Sequence, residues 1–332
     1  MQLKYIVKGT DNYTNINEIL NTIFNISSRL RVKLINNKSV TLNGTFVDTR
    51  THIKPHDIIC VDLSYEEDNS NIVPTKMELD ILFEDDWFLV INKPSGISIH
   101  PSLLHYSDSL SNGVNYYFDQ IGLKKKIRPV NRLDTNTSGL VIFAKCEYIQ
   151  ECFIKQMTDK TFKKAYLCLV QGNFEKDTTP NKNINFNTEY KTIDLPIARK
   201  PGSIIERCVD TSGQKAITHY RVIKEFDGYS LVECLLETGR THQIRVHMSY
   251  IGHPLLGDDL YNSTMNFSNS TEVQKTKFHK KSNNLMNRQA LHSYKIELIH
   301  PVTNELLSFC CELPKDMKCL VGDVSDATFI NH

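Results

Sequence analysis

An acidic side chain in a polar loop that leads into an apolar strand is the feature of this sequence best suited to chemistry. Asp134 lies in the segment 128–139, and the apolar run 140–144 follows it. A run of that length with β-branched and aromatic members is typical of a buried strand. A carboxylate on a loop held by such a strand is fixed yet open to a ligand, which is where catalytic groups tend to lie. Asp followed by Thr, Ser and Gly is also a common structural turn, because short polar side chains bond their own backbone.

The segment 237–248 offers a cation that could keep this carboxylate charged. A buried Asp tends to become protonated unless a nearby cation favours its charged form. The candidate is Arg240, which follows Gly239 and precedes Thr241, a possible cap for a helix with an apolar stripe at 244, 248 and 251. From this sequence alone, Arg240 fits a surface arginine ahead of an amphipathic helix equally well.

Both segments resemble signatures of the RluA-type RNA pseudouridine synthases. Arg-Leu-Asp at 132–134 precedes Thr-Ser-Gly at 137–139, and Gly-Arg-Thr-His-Gln-Ile-Arg-Val-His at 239–247 is similar to the second motif nearly residue for residue. The resemblance implies that the protein isomerises uridine to pseudouridine in RNA, with Asp134 as nucleophile and Arg240 paired to it. One position departs from the pattern: the family commonly has His before the Arg, and this chain has Asn131.

The resemblance implies further site residues. Tyr166, in the apolar strand 163–170, would stack on the target base and could act as general base, although a strand tyrosine is usually a core residue. Leu291, in the Ala-Leu-His segment 290–292, would pack beside the base. Position alone, apart from the resemblance, suggests that Arg132 fills the gap left by a flipped nucleotide or holds the displaced backbone, because residues 132 and 134 share a face if the segment is extended.

The reaction implied needs no cofactor. Breaking the N1–C1′ bond of uridine, turning the uracil and rejoining it through C5 requires no redox step, metal or activated group. The nine cysteines show no CxxC, which favours reduced thiols, and His242, His247 and His253 are not spaced for one helical face. We therefore predict no metal site.

An RNA-binding module is predicted at residues 12–63. Two helices (the second, residues 29–35, capped by Ser28), a hairpin around Asn43-Gly44 and a strand at 58–63 together resemble an S4-type RNA-binding domain. In that family the second helix presents basic residues to RNA. The corresponding residues of this chain are Arg29, Arg31 and Lys33.

The remainder of the chain is predicted to hold one larger domain. The acidic, polar segment 64–75 is predicted to be a linker, and residues 76–320 a catalytic domain that opens with an Asn-Lys-Pro-x-Gly turn at 92–96. Its polar loops are 175–190 and 262–287, which contain too few apolar residues to bury themselves. The predicted fold class is α+β, with a mixed, largely antiparallel central sheet and flanking helices (the pseudouridine synthase fold), plus the small N-terminal α/β S4-like domain.

Composition describes an ordinary soluble protein and gives weak support for an RNA partner. Hydrophobic residues make up 40% of the 332, charged residues 23%, and the net charge is +1. No run of 18 apolar residues and no signal peptide is apparent, so we expect a cytoplasmic monomer with no membrane contact. Large-subunit ribosomal RNA is the expected substrate, by analogy with S4-bearing relatives. The alternatives are the same chemistry on transfer RNA, a non-catalytic RNA-binding ribosome-assembly factor, or a hydrolase that uses Asp134 on a glycosidic bond.

Overall fold

A small four-stranded sheet with two helices forms the N-terminal part of the chain. In the computed structural model, which describes residues 1–103, 105–174, 190–262 and 285–322, its elements are β1 (Gln2–Ile6), α1 (Ile16–Thr22), α2 (Ser28–Asn36), β2 (Val40–Leu42), β3 (Thr45–Phe46) and β4 (Ile58–Asp62). The strand order is β1-β4-β2-β3, and every pairing is antiparallel.

The structure agrees with the predicted helices, hairpin and last strand of this region and differs in two details. The cap of α2 is Ser27, whose side chain accepts a hydrogen bond from the Leu30 amide at 3.2 Å, and Ser28 is the first helical residue. Two adjacent serines lie where the helix begins, and sequence alone does not say which one has the extended backbone that a cap requires. Strand β1 lies ahead of residue 12, where the predicted module begins.

The second sheet contains ten strands and most of the fold. Its members are β5 (Ile81–Glu84), β6 (Phe88–Lys93), β7 (Arg128–Pro129), β8 (Ser138–Ala144), β9 (Lys163–Gln171), β10 (Lys191–Asp194), β13 (Ile217–Phe226), β14 (Tyr229–Leu236), β15 (Leu291–Ile299) and β16 (Leu306–Cys310), while β11 (Ile197–Arg199) and β12 (Arg207–Val209) form a separate two-stranded sheet. The main path is β10-β13-β14-β9-β15-β8-β6-β5. All pairings are antiparallel except that of β15 with β8.

The predicted fold class, a mixed and largely antiparallel sheet with flanking helices, is confirmed. The helices of this part are α3 (Leu110–Gln120), α4 (Glu147–Thr158), α5 (Gln243–Tyr250) and α6 (Lys315–Val321). Successive residues of β6 enter different cores: Phe88 and Val90 pack in one cluster, and Leu89 and Ile91 in another. A strand covered on both faces needs a continuous apolar sequence, which explains the runs 88–91 and 140–144.

The loop that carries Asp134 is fixed to β8 by an amide side chain. Asn131 donates from Nδ2 to the Leu140 carbonyl at 3.0 Å and accepts at Oδ1 from the Ile142 amide at 2.9 Å. A neutral amide supplies one donor and one acceptor with no titration, so Asn131 satisfies both backbone groups at the position where the family commonly has His.

The end of that loop meets β15 at close range. Gly139 has φ +111°, and a Cβ built on it would lie 2.2 Å from the Ser293 carbonyl oxygen. Only glycine permits both this backbone conformation and this approach. The parallel contact of Ser138 and Gly139 with residues 292 and 293 therefore depends on the glycine of the Thr-Ser-Gly segment.

The polar loops predicted at 175–190 and 262–287 lie almost wholly outside the described residues, and the structure does not test them. Within the described part of the chain, no helix combines the length and apolar character needed to cross a bilayer.

Candidate active site

A carboxylate, three arginines and an aromatic ring meet where the loop after β7, strand β9 and helix α5 converge. Asp134 lies in a small pocket together with Arg132, Tyr166, Arg240, Arg245 and Leu291. The side chain of Asp134 is 27% exposed, so a ligand can reach it. The pocket opens into a larger groove of about 950 Å³.

The partner of Asp134 is Arg245. Its Nη1 donates to Asp134 Oδ2 at 3.1 Å, while Nε and Nη2 donate to the two carboxylate oxygens of Asp258 at 2.7 and 2.9 Å. Asp258 is fully buried, and the guanidinium carbon lies 5.0 Å from the centre of the Tyr261 ring. The bidentate contact with Asp258 fixes the guanidinium plane, and a third nitrogen points at Asp134.

The local charges keep Arg245 cationic. Burial opposes its charged form, but the hydrogen bonds to Asp258 and the charges of Asp258 and Asp134 raise the pKa of Arg245 overall. His242 Nε2 lies 3.8 Å from Asp134 Oδ2, and burial lowers the pKa of this imidazole despite the nearby carboxylate. Arg245, and not His242, is therefore the cation that faces the Asp134 carboxylate.

The predicted ion pair between Arg240 and Asp134 is wrong. Arg240 precedes α5, is exposed, and donates from Nε to the Lys215 carbonyl at 3.0 Å. The predicted cap also differs: His242, at φ 59°, is the N-cap residue of α5, and Thr241 is not. Both arginines belong to the same motif, but the arginine on the buried face of the helix contacts the carboxylate. The signal in the sequence is that Arg245 adjoins the apolar position Ile244, and a buried arginine requires an acidic partner.

Tyr166 and Leu291 both lie at the pocket, on the neighbouring strands β9 and β15. Each is about 5% exposed. Burial raises the pKa of Tyr166, and the negative charge of Asp134 adds to that shift. The ring of Tyr166 lies at the pocket, and its predicted roles in stacking on the base and as general base stay predictions.

Lys93 was not among the predicted site residues. This fully buried ammonium donates to the carbonyl oxygens of Pro94 and Ile97 at 2.8 Å and of Thr135 at 3.0 Å. Three carbonyl acceptors match the three N–H donors of a lysine. Lys93 therefore ties the turn 94–97 to the residue that follows Asp134. The Lys-Pro in the turn at 92–96 marks the position, but nothing local in the sequence points to residue 135.

The groove residues include the predicted Arg132. It is exposed, two residues before Asp134, and lines both the pocket and the groove. Across the described part of the chain, no three His, Cys, Asp or Glu side chains gather as a metal ion would require.

The three basic residues predicted on α2 differ in their surroundings. Lys33 Nζ lies 2.9 Å from Glu67 Oε1 and 3.0 Å from Glu147 Oε2, so it joins α2 to α4 and to the segment 64–75. Arg31 donates to Asn17, Asn21 and Ser28. Arg29 has a side chain that is 91% exposed. A charge bound to two carboxylates is a poor phosphate ligand, so the predicted RNA contact by Lys33 does not fit this structure.

Glu67 is the centre of that contact. Arg128 donates to its two carboxylate oxygens at 2.7 Å each. Burial opposes ionisation, but Arg128 and Lys33 together lower the pKa of Glu67 to about 2. Part of the segment predicted as a linker is therefore packed between the two sheets.

Comparison with known proteins assigns this site to one family. The family model described as RNA pseudouridylate synthase matches residues 87–250. An uncharacterized RNA pseudouridine synthase of Bacillus subtilis, YhcT, is 35% identical over 304 residues, 91% of this chain and 90% of the relative. Ribosomal large subunit pseudouridine synthase D of Nitrosomonas europaea is 33% identical over 86% of this chain and 77% of its own length.

A solved structure shares the fold. The human RNA pseudouridylate synthase domain containing 1 protein superposes with a TM-score of 0.52 at 24% identity, over 71% of this chain and 83% of that one.

Proposed function

The chain belongs to the RNA pseudouridylate synthase family and is an RNA pseudouridine synthase, and on that premise we propose that it acts on large-subunit ribosomal RNA with Asp134 as the nucleophile. One observation carries the assignment of the nucleophile. Asp134 is the carboxylate that is both accessible in the pocket and paired with a fixed cation, because Asp258 on the other side of Arg245 is fully buried.

The proposed chemistry is balanced without a co-reactant. The Asp134 carboxylate attacks C1′ of the ribose, and the electrons of the N1–C1′ bond leave with the uracil. After the uracil turns, C5 attacks C1′ and releases the carboxylate. The freed Asp134 carboxylate takes the C5 proton and passes it through water to N1, so that the uracil ends with one proton on N1 in place of the one on C5 and the carboxylate is free again. Arg245 contacts the Asp134 carboxylate and orients it towards C1′.

The pocket walls suit a uracil that has left its stack. Tyr166 offers an aromatic face and Leu291 an apolar contact, while Arg132 lies at the rim on the side of the groove. Extruding a paired nucleotide costs a few kcal/mol, and a cation that contacts the displaced backbone lowers this cost. We propose that Arg132 and Arg240 have this role, and that Tyr166 and Leu291 hold the base.

The choice of ribosomal RNA is supported by relatives. Several that are 31–34% identical to this chain are named ribosomal large subunit pseudouridine synthase D. Transfer RNA is the second candidate, because a pocket that contacts a single nucleotide does not by itself distinguish one RNA from the other. The N-terminal sheet and helices, which we propose to be an S4-like RNA-binding domain, are the part able to distinguish the two.

The test is pseudouridine mapping by carbodiimide treatment and primer extension. Ribosomal and transfer RNA transcripts are incubated with the wild-type protein and with Asp134→Asn. We expect new stops in large-subunit RNA with the wild type alone. Stops confined to transfer RNA would overturn the substrate, and stops with both proteins would overturn the role of Asp134.

We expect Lys33→Met to lower the free energy of unfolding by about 1–2 kcal/mol and to leave RNA affinity unchanged, because its charge serves Glu67 and Glu147. Urea denaturation and filter binding measure the two quantities. The matched variant is Arg29→Met on the same helix, which we expect to weaken RNA binding severalfold at unchanged stability. Equal losses of affinity in both variants would contradict the structural role of Lys33.

A further inference from the structure

An ammonium group with no acidic partner among the described residues lies in the groove beside the pocket. Lys164 is on β9, two residues before Tyr166, and both side chains line the groove. Residues two apart on a strand point to the same face, with Cα atoms roughly 7 Å apart. A Cβ built on Gly239 would lie 3.5 Å from Lys164 Nζ, so the ammonium rests against the backbone that precedes Arg240.

Both acids of the groove lining are already bound to other groups. Asp134 is paired with Arg245, and Glu237 lies 2.5 Å from Lys160 Nζ and 2.7 Å from His219 Nε2. Among the residues that the structure describes, none accepts a hydrogen bond from Lys164 or forms an ion pair with it. Its side chain is partly buried, and burial lowers the pKa of the ammonium with no nearby charge to oppose the shift.

A partly desolvated cation with no counter-ion is unfavourable in the free protein, and a bound anion removes that cost. The ligand of this groove is a polyanion under the proposed function, and its phosphates must pass close to Asp134 if the target ribose is to reach the carboxylate. Lys164 lies beside the pocket, because it is two residues before Tyr166 on the same face of β9. Arg132 and Arg240 differ from it, because they are exposed and pay little for an unpaired charge.

We infer that Lys164 binds a backbone phosphate of the RNA directly adjacent to the target uridine. This inference rests on the proposed function and adds a named contact to it. Lys164 is thus a substrate-positioning residue: it holds the chain on one side of the flipped nucleotide, so that C1′ meets Asp134.

The chain offers a matched control one residue away. Lys163 has the same charge and the same strand, but it points to the opposite face, where its side chain is 70% exposed and lies 3.8 Å from Glu297. A loss of general attraction between protein and RNA would affect the Lys163 and Lys164 variants alike. A phosphate subsite would affect Lys164 alone.

The experiment pairs Lys164→Met with single neutralised phosphates. The substrate is a short RNA around the uridine mapped above, with a methylphosphonate at one position at a time. We expect Lys164→Met to lower kcat/KM on the unmodified RNA about 10- to 100-fold, the range for one charge-assisted hydrogen bond. In the wild type, a methylphosphonate at one flanking position should lower kcat/KM by a similar factor. In Lys164→Met, the same methylphosphonate should lower kcat/KM no further. Lys163→Met should behave as the wild type throughout.

Two further measurements distinguish the loss of a phosphate contact from a change in the fold. Lys164→Arg keeps the charge and should recover most of the activity, together with the sensitivity to that one methylphosphonate. The slope of log affinity against log salt should fall by about 0.7 in Lys164→Met, as expected for one lost phosphate contact on a single strand.

The inference is overturned if every methylphosphonate lowers kcat/KM by the same factor in Lys164→Met as in the wild type, since no phosphate then depends on this lysine. That result would leave the proposed function intact, because the wild type still forms pseudouridine. Absence of pseudouridine in every transcript with the wild type would instead overturn the proposed function and the subsite with it.

Discussion

Replacing Asp134 by asparagine is expected to abolish pseudouridine formation, with kcat reduced by at least about 10⁴-fold, the order seen when an enzyme loses its nucleophile. The amide has nearly the same shape as the carboxylate but is neutral and a poor nucleophile towards C1′. Single-turnover incubation with excess protein, followed by quantification of pseudouridine, measures the chemical step free of product release.

The variant should otherwise resemble the wild type. The asparagine oxygen can still accept the hydrogen bond from Arg245, and Asp258 still holds the guanidinium, so the free energy of unfolding should change by less than about 1 kcal/mol. RNA affinity should be retained. A well-folded Asp134→Asn protein that keeps a tenth of the wild-type rate would exclude Asp134 as the nucleophile.

Replacing Arg245 by methionine is expected to reduce both activity and stability. Asp258, with a side chain 1% exposed, would lose its partner, and breaking a buried pair in this way costs about 3–5 kcal/mol of unfolding free energy. Asp134 would lose the cation that faces its carboxylate, and we expect kcat to fall about 10²- to 10³-fold, as for other lost electrostatic contacts. Urea denaturation and single-turnover kinetics measure the two effects.

Arg240→Met is the control for this prediction, because it removes the same side chain from the same motif and pocket. We expect the free energy of unfolding of Arg240→Met to stay within about 0.5 kcal/mol of the wild type. Its loss of activity should appear mainly as a raised KM, as for an exposed residue that contacts substrate. A loss of kcat in Arg240→Met equal to that in Arg245→Met would instead support the pairing predicted from sequence.

Motif resemblance identified the residues gathered at the pocket but not their contacts. The pocket brings together Asp134, Tyr166 and Leu291 as predicted, because each belongs to a segment whose sequence resembles a motif of the family. Arg240 and Arg245 lie five residues apart in one motif, and only the start of the helix at Gln243 decides which of them turns inward.

Charge alone was a poor guide to location. The sequence does not reveal how the surroundings of three lysines differ. Lys33 binds two carboxylates and Lys93 binds three carbonyls, whereas Lys164 has no partner among the described residues. These differences depend on groups far away in the chain, such as Glu147 for Lys33 and Thr135 for Lys93. Local patterns of hydrophobicity and turn residues contain no information on such distant contacts.

The parallel contact between β8 and β15 determines when the protein can become active during its synthesis. The carbonyl of Asn136, two residues after Asp134, accepts a hydrogen bond from Arg288, which lies 152 residues later, and Ser138 and Gly139 pair with residues 292 and 293. A growing chain therefore exposes its reactive carboxylate long before the strand that walls the pocket has been made. Contacts of such long range also form slowly. If Asp134 is the nucleophile as proposed, the unfinished protein carries it without a complete pocket, and catalysis can begin only when β15 docks beside β8.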